Sequence, residues 1–167
     1  SLYIEQYHSA AAIDGEPVKH ILDQYSITFI PMVNPDGVTL AQKGADAFPD
    51  RKDELLKMNG PERGNNFREW KANINGVDIN RNFDAFWNEQ SASVNKSPVP
   101  ADAYYQGPSP ESEPETKVVA NWIRDNSPEL TIDYHTRGEL IYWYSQQTGE
   151  RLENFISIVE AMADASG

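Results

Sequence analysis

Apolar residues recur at helical spacing in several parts of the chain. The pattern predicts helices over residues 17–24, 112–125 and 150–165, and it predicts the end of an amphipathic helix over residues 2–12. Asp14-Gly15 is a breaker that ends this first helix. In the closing helix, the apolar positions that we assign to the core are Leu152, Phe155, Ile156, Val159 and Met162.

Short runs of β-branched and aromatic residues predict three strands, over residues 26–30, 130–134 and 139–144. Pro31 ends the first strand, and residues 34–37 have the composition of a turn. Because helices alternate with strands, the predicted fold class is α/β, with a mixed, largely parallel sheet flanked by helices. Ligands bind at strand ends in such sheets, so a site is expected there.

The segment over residues 39–75 is polar and dotted with glycine, and a short helix over residues 53–58 is its one predicted regular element. Loops this long in a compact domain are usually functional or disordered, so we expect this one to border a substrate cleft. Further on, Ser112 with Glu115 three residues later fits a capping box. Glu113 and Glu115 are therefore interpreted as residues of a helix start that take no part in catalysis.

Composition limits the classes of function. A chain of 167 residues with 39% hydrophobic and 24% charged residues fits one globular domain with a sizeable core. A net charge of −12 disfavours nucleic acid as a partner. The chain has no cysteine, which excludes disulfides and thiolate metal sites but leaves the compartment open. We expect no membrane span, since no apolar run is long enough.

The densest chemistry lies in the stretch Gly76-Val77-Asp78-Ile79-Asn80-Arg81-Asn82-Phe83. An arginine fork matches a carboxylate bidentately, and an asparagine beside it adds a donor, so the stretch suits a substrate carboxylate. The alternative is a capped turn that leads into a short apolar stretch. Three other stretches, residues 31–37, residues 105–107 with 112–116, and residues 133–138, favour the first interpretation.

With these four stretches in this order, residues 26–145 resemble the zinc carboxypeptidase family of metallopeptidases. Residues 70–73 and 140–143 look most like its bacterial branch, which includes γ-D-glutamyl-meso-diaminopimelate peptidases that cut cell-wall peptides. The resemblance implies one zinc carboxypeptidase-like catalytic domain over residues 1–167, incomplete at both ends. The family's His-x-x-Glu zinc motif does not occur in this sequence, and its general-base glutamate is expected well beyond His135.

The resemblance also implies roles for individual residues. His135 matches a histidine ligand of the catalytic zinc ion, and Asp78 matches a carboxylate that orients another zinc histidine. Asn80 and Arg81 match the pair that holds the terminal carboxylate of the substrate. Lys71 stands near the place of an arginine that polarises the scissile carbonyl. The lysine departs from the family's pattern, because it provides a positive charge but not the two parallel donors of a guanidinium. Its alternative role is that of a solvated surface residue.

Arg137 is a candidate for substrate specificity. It follows His135 by two residues, and a guanidinium there would favour the free α-carboxylate of a γ-D-glutamyl substrate. The alternative is a surface arginine paired with Glu139. The remaining histidines, His8 and His20, are interpreted as structural, although His20 begins a superficial His-x-x-acid pattern.

The leading hypothesis is a zinc-dependent metallopeptidase that hydrolyses a peptide or γ-D-glutamyl-diaminopimelate bond near a free carboxylate. The implied cofactor is a zinc ion, and the implied substrate is a peptide or a bacterial cell-wall peptide. One alternative is an ordinary C-terminal metallocarboxypeptidase, and another is a non-catalytic peptide-binding module on the same scaffold. The sequence leaves open the oligomeric state and the compartment, whether bacterial cytoplasm or secreted and cell envelope.

Overall fold

Helices and short 3-10 turns provide most of the regular structure. The computed structural model describes residue 7 and residues 9–92, 96–136, 140–144 and 148–166. Its α-helices are α1 (Val18–Gln24), α2 (Pro35–Lys43), α3 (Lys52–Asn59), α4 (Pro114–Asn126) and α5 (Glu150–Ser166). The chain divides into two units, Ser1–Ser127 and Pro128–Gly167.

A small hairpin precedes α1. Strand β1 (Ala12–Ile13) pairs antiparallel with β2 (Glu16–Pro17), with Ala12 opposite Pro17. Asp14 and Gly15 connect them with φ angles of 50° and 84°, as a two-residue hairpin turn requires. The dipeptide is a turn between two strands, so the prediction that it ends a helix is wrong for the described residues. Residue 7 and residues 9–12 carry no helix, and the rest of the helix predicted over residues 2–12 lies outside the described part of the chain.

Within the described residues this hairpin is the one sheet, so the predicted largely parallel sheet is not found there. Residues 26–30, 130–134 and 140–144 carry no strand, and residue 139 lies outside the described part. A strand needs a hydrogen-bonded neighbour, and residue preference alone does not provide one. Apolar side chains in or beside these segments remain exposed, namely Ile27, Phe29, Met32, Ile132 and Tyr142.

The predicted helices fare better. Helices α1, α3 and α5 confirm the helices predicted over residues 17–24, 53–58 and 150–165. Helix α4 confirms the one predicted over residues 112–125, although it starts at Pro114. None of the helices in the described part of the chain is long and apolar enough to cross a membrane.

Helix α2 corrects the prediction of a plain turn over residues 34–37. Asn34 is its N-cap, and the Asn34 Oδ1 atom accepts a hydrogen bond of 2.9 Å from the backbone N–H of Gly37. Pro35 occupies the first helical position, where its missing N–H costs nothing. An asparagine cap followed by proline is a helix start as well as turn chemistry, and here the helix forms. The polar segment over residues 39–75 therefore contains most of α2 and all of α3.

The core of the first unit joins α2 and α3 to the segment that carries Lys71. Its buried side chains are Leu40, Ala45, Leu55, Phe67, Trp70 and Ala72. The rings of Phe67 and Trp70 pack at a centroid distance of 5.2 Å. Because Trp70 and Ala72 are both buried, the backbone of Lys71 between them is fixed, while its side chain is partly exposed.

Candidate active site

The stretch from Gly76 to Phe83 forms a tight turn against the core. Gly76 has a φ of 71°, and a Cβ atom there would lie 2.9 Å from the backbone nitrogen of Ala101, so a side chain is excluded. Asp78 precedes the 3-10 turn Ile79–Arg81, and its backbone N–H donates to the carbonyl of Tyr105 at 2.8 Å. Burial of Val77 and Ile79 holds the turn in place. The local fold thus fixes Asp78 and Arg81 together.

The carboxylate of Asp78 is the centre of a charged cluster. Its side chain is 1% exposed. The Asp78 Oδ2 atom accepts a hydrogen bond of 2.9 Å from Lys71 Nζ, and it lies 3.5 Å from Arg81 Nε. The sequence-predicted residues Lys71, Asp78 and Arg81 are therefore brought together. The Lys71 side chain is 44% exposed and its charge is held against a buried carboxylate, so its role near the scissile carbonyl stays a prediction.

Tyr104 completes this cluster. The Lys71 Nζ atom lies 5.5 Å and the Arg81 Cζ atom 5.2 Å from the centroid of its ring. The backbone N–H of Tyr104 also donates to Asp78 Oδ2 at 3.2 Å. Tyr104 was not predicted as a site residue, because it lies 26 residues from Asp78 along the chain and outside the four stretches that carry the family resemblance. No local pattern indicates a contact of this kind.

Asn80 lies on the same 3-10 turn as Arg81, and its side chain is exposed. Ile79 directly before it and Asn82 two residues after it are buried, so the turn is fixed and presents Asn80 outward. An exposed carboxamide next to a guanidinium remains available to a ligand. Its predicted role in holding a substrate carboxylate stays a prediction.

Asn82 joins this turn to the segment before α4. Its side chain is fully buried, and its Nδ2 atom lies 2.9 Å from the carbonyl of Gln106, 3.1 Å from that of Ser109 and 3.0 Å from Ser112 Oγ. Its Oδ1 atom accepts from the backbone N–H of Glu113 at 3.1 Å. One side chain thereby contacts the neighbouring segment through its oxygen and through its nitrogen, whose two hydrogens are shared among three acceptors. No role was predicted for Asn82 from the sequence.

Glu113 is a buried member of the same network. Its carboxylate accepts from the Nδ2 atoms of Asn73 at 2.7 Å and Asn75 at 2.8 Å, and from Ser112 Oγ at 2.7 Å. Burial raises the pKa of Glu113, but the hydrogen bonds from these three side chains outweigh burial, so its pKa lies below the ordinary value. Its carboxylate is therefore ionised at neutral pH.

The predicted capping box at Ser112 and Glu115 is wrong. Glu113 is the N-cap of α4, Pro114 is the first helical residue, and no side chain makes a cap hydrogen bond. The proline sets the helix start, and the Ser112 hydroxyl donates to Glu113 instead of accepting from the helix. The hydrogen bonds of Glu113 place it in the structural network, in agreement with the interpretation that gave it no catalytic role.

The predicted zinc ligand His135 lies in the second unit. It is exposed, in a segment without regular structure. Arg137 and its alternative partner Glu139 lie outside the described residues, as does His8. His20 on α1 contacts Glu16 and Gln24 one helical turn away on either side, which agrees with a structural role.

The described residues do not by themselves fit a catalytic zinc site. Among residues 7, 9–92, 96–136, 140–144 and 148–166, no group of three or more His, Cys, Asp or Glu side chains could hold a metal ion. Catalytic zinc usually has three protein ligands, and His135 is the one residue proposed here. The cluster around Asp78 holds instead two cationic side chains against one buried carboxylate.

Comparisons with known proteins identify the family. The zinc carboxypeptidase family model matches residues 3–166. The uncharacterized protein YqgT of Bacillus subtilis (strain 168) is 36% identical over 151 residues, which cover 90% of this chain and 38% of that protein. Gamma-D-glutamyl-L-diamino acid endopeptidase 1 of Lysinibacillus sphaericus is 36% identical over 141 residues, which cover 84% and 35%.

More distant similarity extends to animal enzymes. Mast cell carboxypeptidase A of Mus musculus is 34% identical over 150 residues, which cover 87% of this chain and 32% of that protein. This chain thus spans between about a third and two fifths of the length of these relatives. No solved structure matches it significantly. Since the family model covers nearly every residue, the chain belongs to the zinc carboxypeptidase family.

Proposed function

We propose that this chain carries the substrate-recognition part of a zinc-dependent metallopeptidase that hydrolyses a bond close to a free carboxylate. The observation that carries the proposal is the pairing of Lys71 and Arg81 on the buried carboxylate of Asp78. Two cationic side chains held at one place favour an anionic substrate group. Membership of the family supports peptide hydrolysis, with residues 1–167 as part of one catalytic domain.

Each residue of the cluster has a distinct task in this proposal. Arg81, with Asn80 beside it, binds the carboxylate of the substrate through charge-assisted hydrogen bonds. Lys71 provides positive charge near the scissile carbonyl, where negative charge develops on the oxygen during hydrolysis. Asp78 holds both cations in place, because its one oxygen contacts Lys71 at 2.9 Å and Arg81 at 3.5 Å. Preorganised charges of this kind need no rearrangement when the reaction occurs.

Zinc enters the proposal through His135, which is exposed and therefore free to face a metal ion. Further ligands are needed, because the described residues hold no group of three. The role of Asp78 in orienting another zinc histidine remains a proposal; its burial supports it, since a carboxylate that orients a ligand must itself be held.

The proposed substrate is a γ-D-glutamyl-diaminopimelate bond in bacterial cell-wall peptides. The Lysinibacillus sphaericus relative is named for cleavage of γ-D-glutamyl-L-diamino acid bonds, and it is among the more similar relatives. The similarity to mast cell carboxypeptidase A favours the alternative of an ordinary C-terminal carboxypeptidase. A non-catalytic peptide-binding module is a third candidate, favoured by the missing ligand group in the described residues. Assays of the full-length protein with both peptide types, and with zinc present, separate the three.

Replacing Arg81 with alanine in the full-length protein tests the proposed carboxylate site. We expect the KM for a substrate with a free carboxylate to rise by a factor of about 10 to 150, since a charge-assisted hydrogen bond contributes about 1.5–3 kcal/mol. Zinc content should not change, because Arg81 is not a ligand. Steady-state kinetics and elemental analysis measure the two.

Two further variants sharpen this experiment. Arg81→Lys keeps the charge but loses the fork, so its KM should lie between those of the wild type and Arg81→Ala. The exposed Arg68, changed to alanine, is the matched control and should leave KM unchanged. If Arg81→Ala and Arg68→Ala behave alike, Arg81 takes no part in binding the carboxylate.

Replacing Arg137 with alanine tests the substrate assignment. We expect cleavage of a γ-D-glutamyl-diaminopimelate peptide to fall more than cleavage of a neutral dipeptide, because only the first carries a free α-carboxylate on the residue that precedes the scissile bond. The ratio of kcat/KM for the two substrates should fall by about tenfold in the full-length enzyme. An equal loss on both substrates, or no loss on either, would return Arg137 to a surface role.

A further inference from the structure

One aromatic ring contacts both cations of the charged cluster. Lys71 Nζ and Arg81 Cζ lie 5.5 Å and 5.2 Å from the centroid of the Tyr104 ring. Both distances fall within about 6 Å, the range in which a cation is attracted to an aromatic ring. Both cations also lie close to one oxygen of Asp78, at 2.9 Å and 3.5 Å, so their charged groups are near each other.

The backbone of Tyr104 takes part in the same cluster. Its N–H donates to Asp78 Oδ2 at 3.2 Å, and this oxygen is the one that binds Lys71 at 2.9 Å. The residue adopts a φ of 69°, a left-handed conformation that costs a tyrosine energy. Such strained residues collect at binding and active sites, where the surrounding structure holds them. Tyr104 therefore contacts every charged member of the cluster.

The chemistry of the ring matters for what the cluster can bind. Two cations that lie close together repel each other, and both lie near the same oxygen of Asp78. A carboxylate in place of the ring would add a second anion to the cluster. A ring attracts both cations through its quadrupole and carries no net charge, so it holds them together without adding an anion.

We infer that Tyr104 is a positioning residue, which holds Lys71 and Arg81 beside each other so that both act on one anionic substrate. The inference rests on the proposed function, since it concerns the same site. Arg81 addresses the carboxylate of the substrate, and Lys71 addresses the neighbouring carbonyl. Tyr104 fixes the positions of the two cationic side chains relative to each other and adds no negative charge beside them.

The test compares two variants of Tyr104 in the full-length protein. Tyr104→Asn removes the ring but tolerates a positive φ, so the backbone N–H to Asp78 can remain in place. Tyr104→Phe keeps the ring and loses only the hydroxyl. The substrate is one peptide in two forms, with a free terminal carboxylate and with that carboxylate converted to an amide.

We expect Tyr104→Asn to lower kcat/KM for the free acid by about tenfold, and that for the amide by only about threefold, because the amide depends on Lys71 alone. Tyr104→Phe should restore most of the loss. The inhibition constant of the free amino-acid product should rise with the asparagine variant, which reports binding independently of turnover. Tyr25→Asn, at the exposed C-terminal end of α1, is the control and should leave kcat/KM unchanged for both the acid and the amide.

Each outcome bears on a separate claim. If the wild type does not prefer the acid to the amide, the proposed carboxylate recognition is wrong, whatever Tyr104 does. If the wild type prefers the acid but Tyr104→Asn lowers kcat/KM equally for both substrates, or for neither, the positioning role is wrong. The proposed carboxylate recognition by Arg81 is then unaffected. Should the asparagine variant fail to fold, Tyr104→Gly takes its place, because glycine also removes the ring and adopts a positive φ without strain. The same comparison of kcat/KM for the acid and for the amide then applies.

Discussion

Changing His135 to alanine in the full-length protein is expected to remove both bound zinc and peptidase activity. A catalytic zinc ion is held by about three protein ligands, so the loss of one leaves two and an affinity too low to retain the metal. Activity should fall to the background of the assay. Elemental analysis of the purified protein and hydrolysis of a γ-D-glutamyl peptide measure the two effects.

His20 provides the matched control for this experiment. It lies on α1 and contacts Glu16 and Gln24 of the same surface, so His20→Ala should retain both zinc and activity. If His135→Ala keeps its zinc and turns over normally, His135 is structural, and the proposed position of the metal is wrong. If both variants lose zinc and activity, the effect is one of folding and does not identify His135 as a ligand.

Changing Asn82 to alanine is expected to lower the free energy of unfolding by about 2–3 kcal/mol. The alanine would leave the buried backbone N–H of Glu113 without its partner. It would also remove one of two donors from the carbonyls of Gln106 and Ser109, which keep Trp87 Nε1 and the backbone N–H of Ser112. Buried polar groups that lose their partners carry most of such a cost. Urea denaturation followed by tryptophan fluorescence measures the change.

Asn121 gives the comparison that this prediction needs. It lies exposed on α4, where its Oδ1 atom accepts from Arg124 at 3.0 Å. Alanine is a better helix former than asparagine, so Asn121→Ala should change stability by less than about 1 kcal/mol. A loss at Asn82 that is no larger than the change at Asn121 would show that the network around Asn82 does not stabilise the fold.

The helices were the part of the fold that the sequence could predict. Each of the four helices predicted over described residues has an apolar stripe or a clear start signal within a few residues, so local information was sufficient. The one missed helix, α2, begins with Asn34-Pro35, which serves equally well in a turn. Its outcome depended on packing, since Asn34 also donates to the carbonyl of Ala72, 38 residues away.

The predicted strands failed for a different reason. Residues 26–30 have the composition of a strand, but a strand is defined by a neighbour that the local sequence does not specify. Contacts in the site show the same limit. Asp78 and Arg81 stand three residues apart in one motif and could be predicted together, whereas Tyr104 and the bonds from Asn82 to residues 106–113 span long stretches of chain.

The exposed apolar segments affect how copies of this chain behave towards one another. Phe29 is 64% exposed and Ile132 48%, in stretches with the composition of strands but without paired backbone groups. Such stretches are templates for pairing between molecules. At neutral pH a net charge of −12 makes the molecules repel each other before these stretches can meet. That protection is electrostatic, so it weakens in salt and disappears as the pH approaches the isoelectric point of about 4.6.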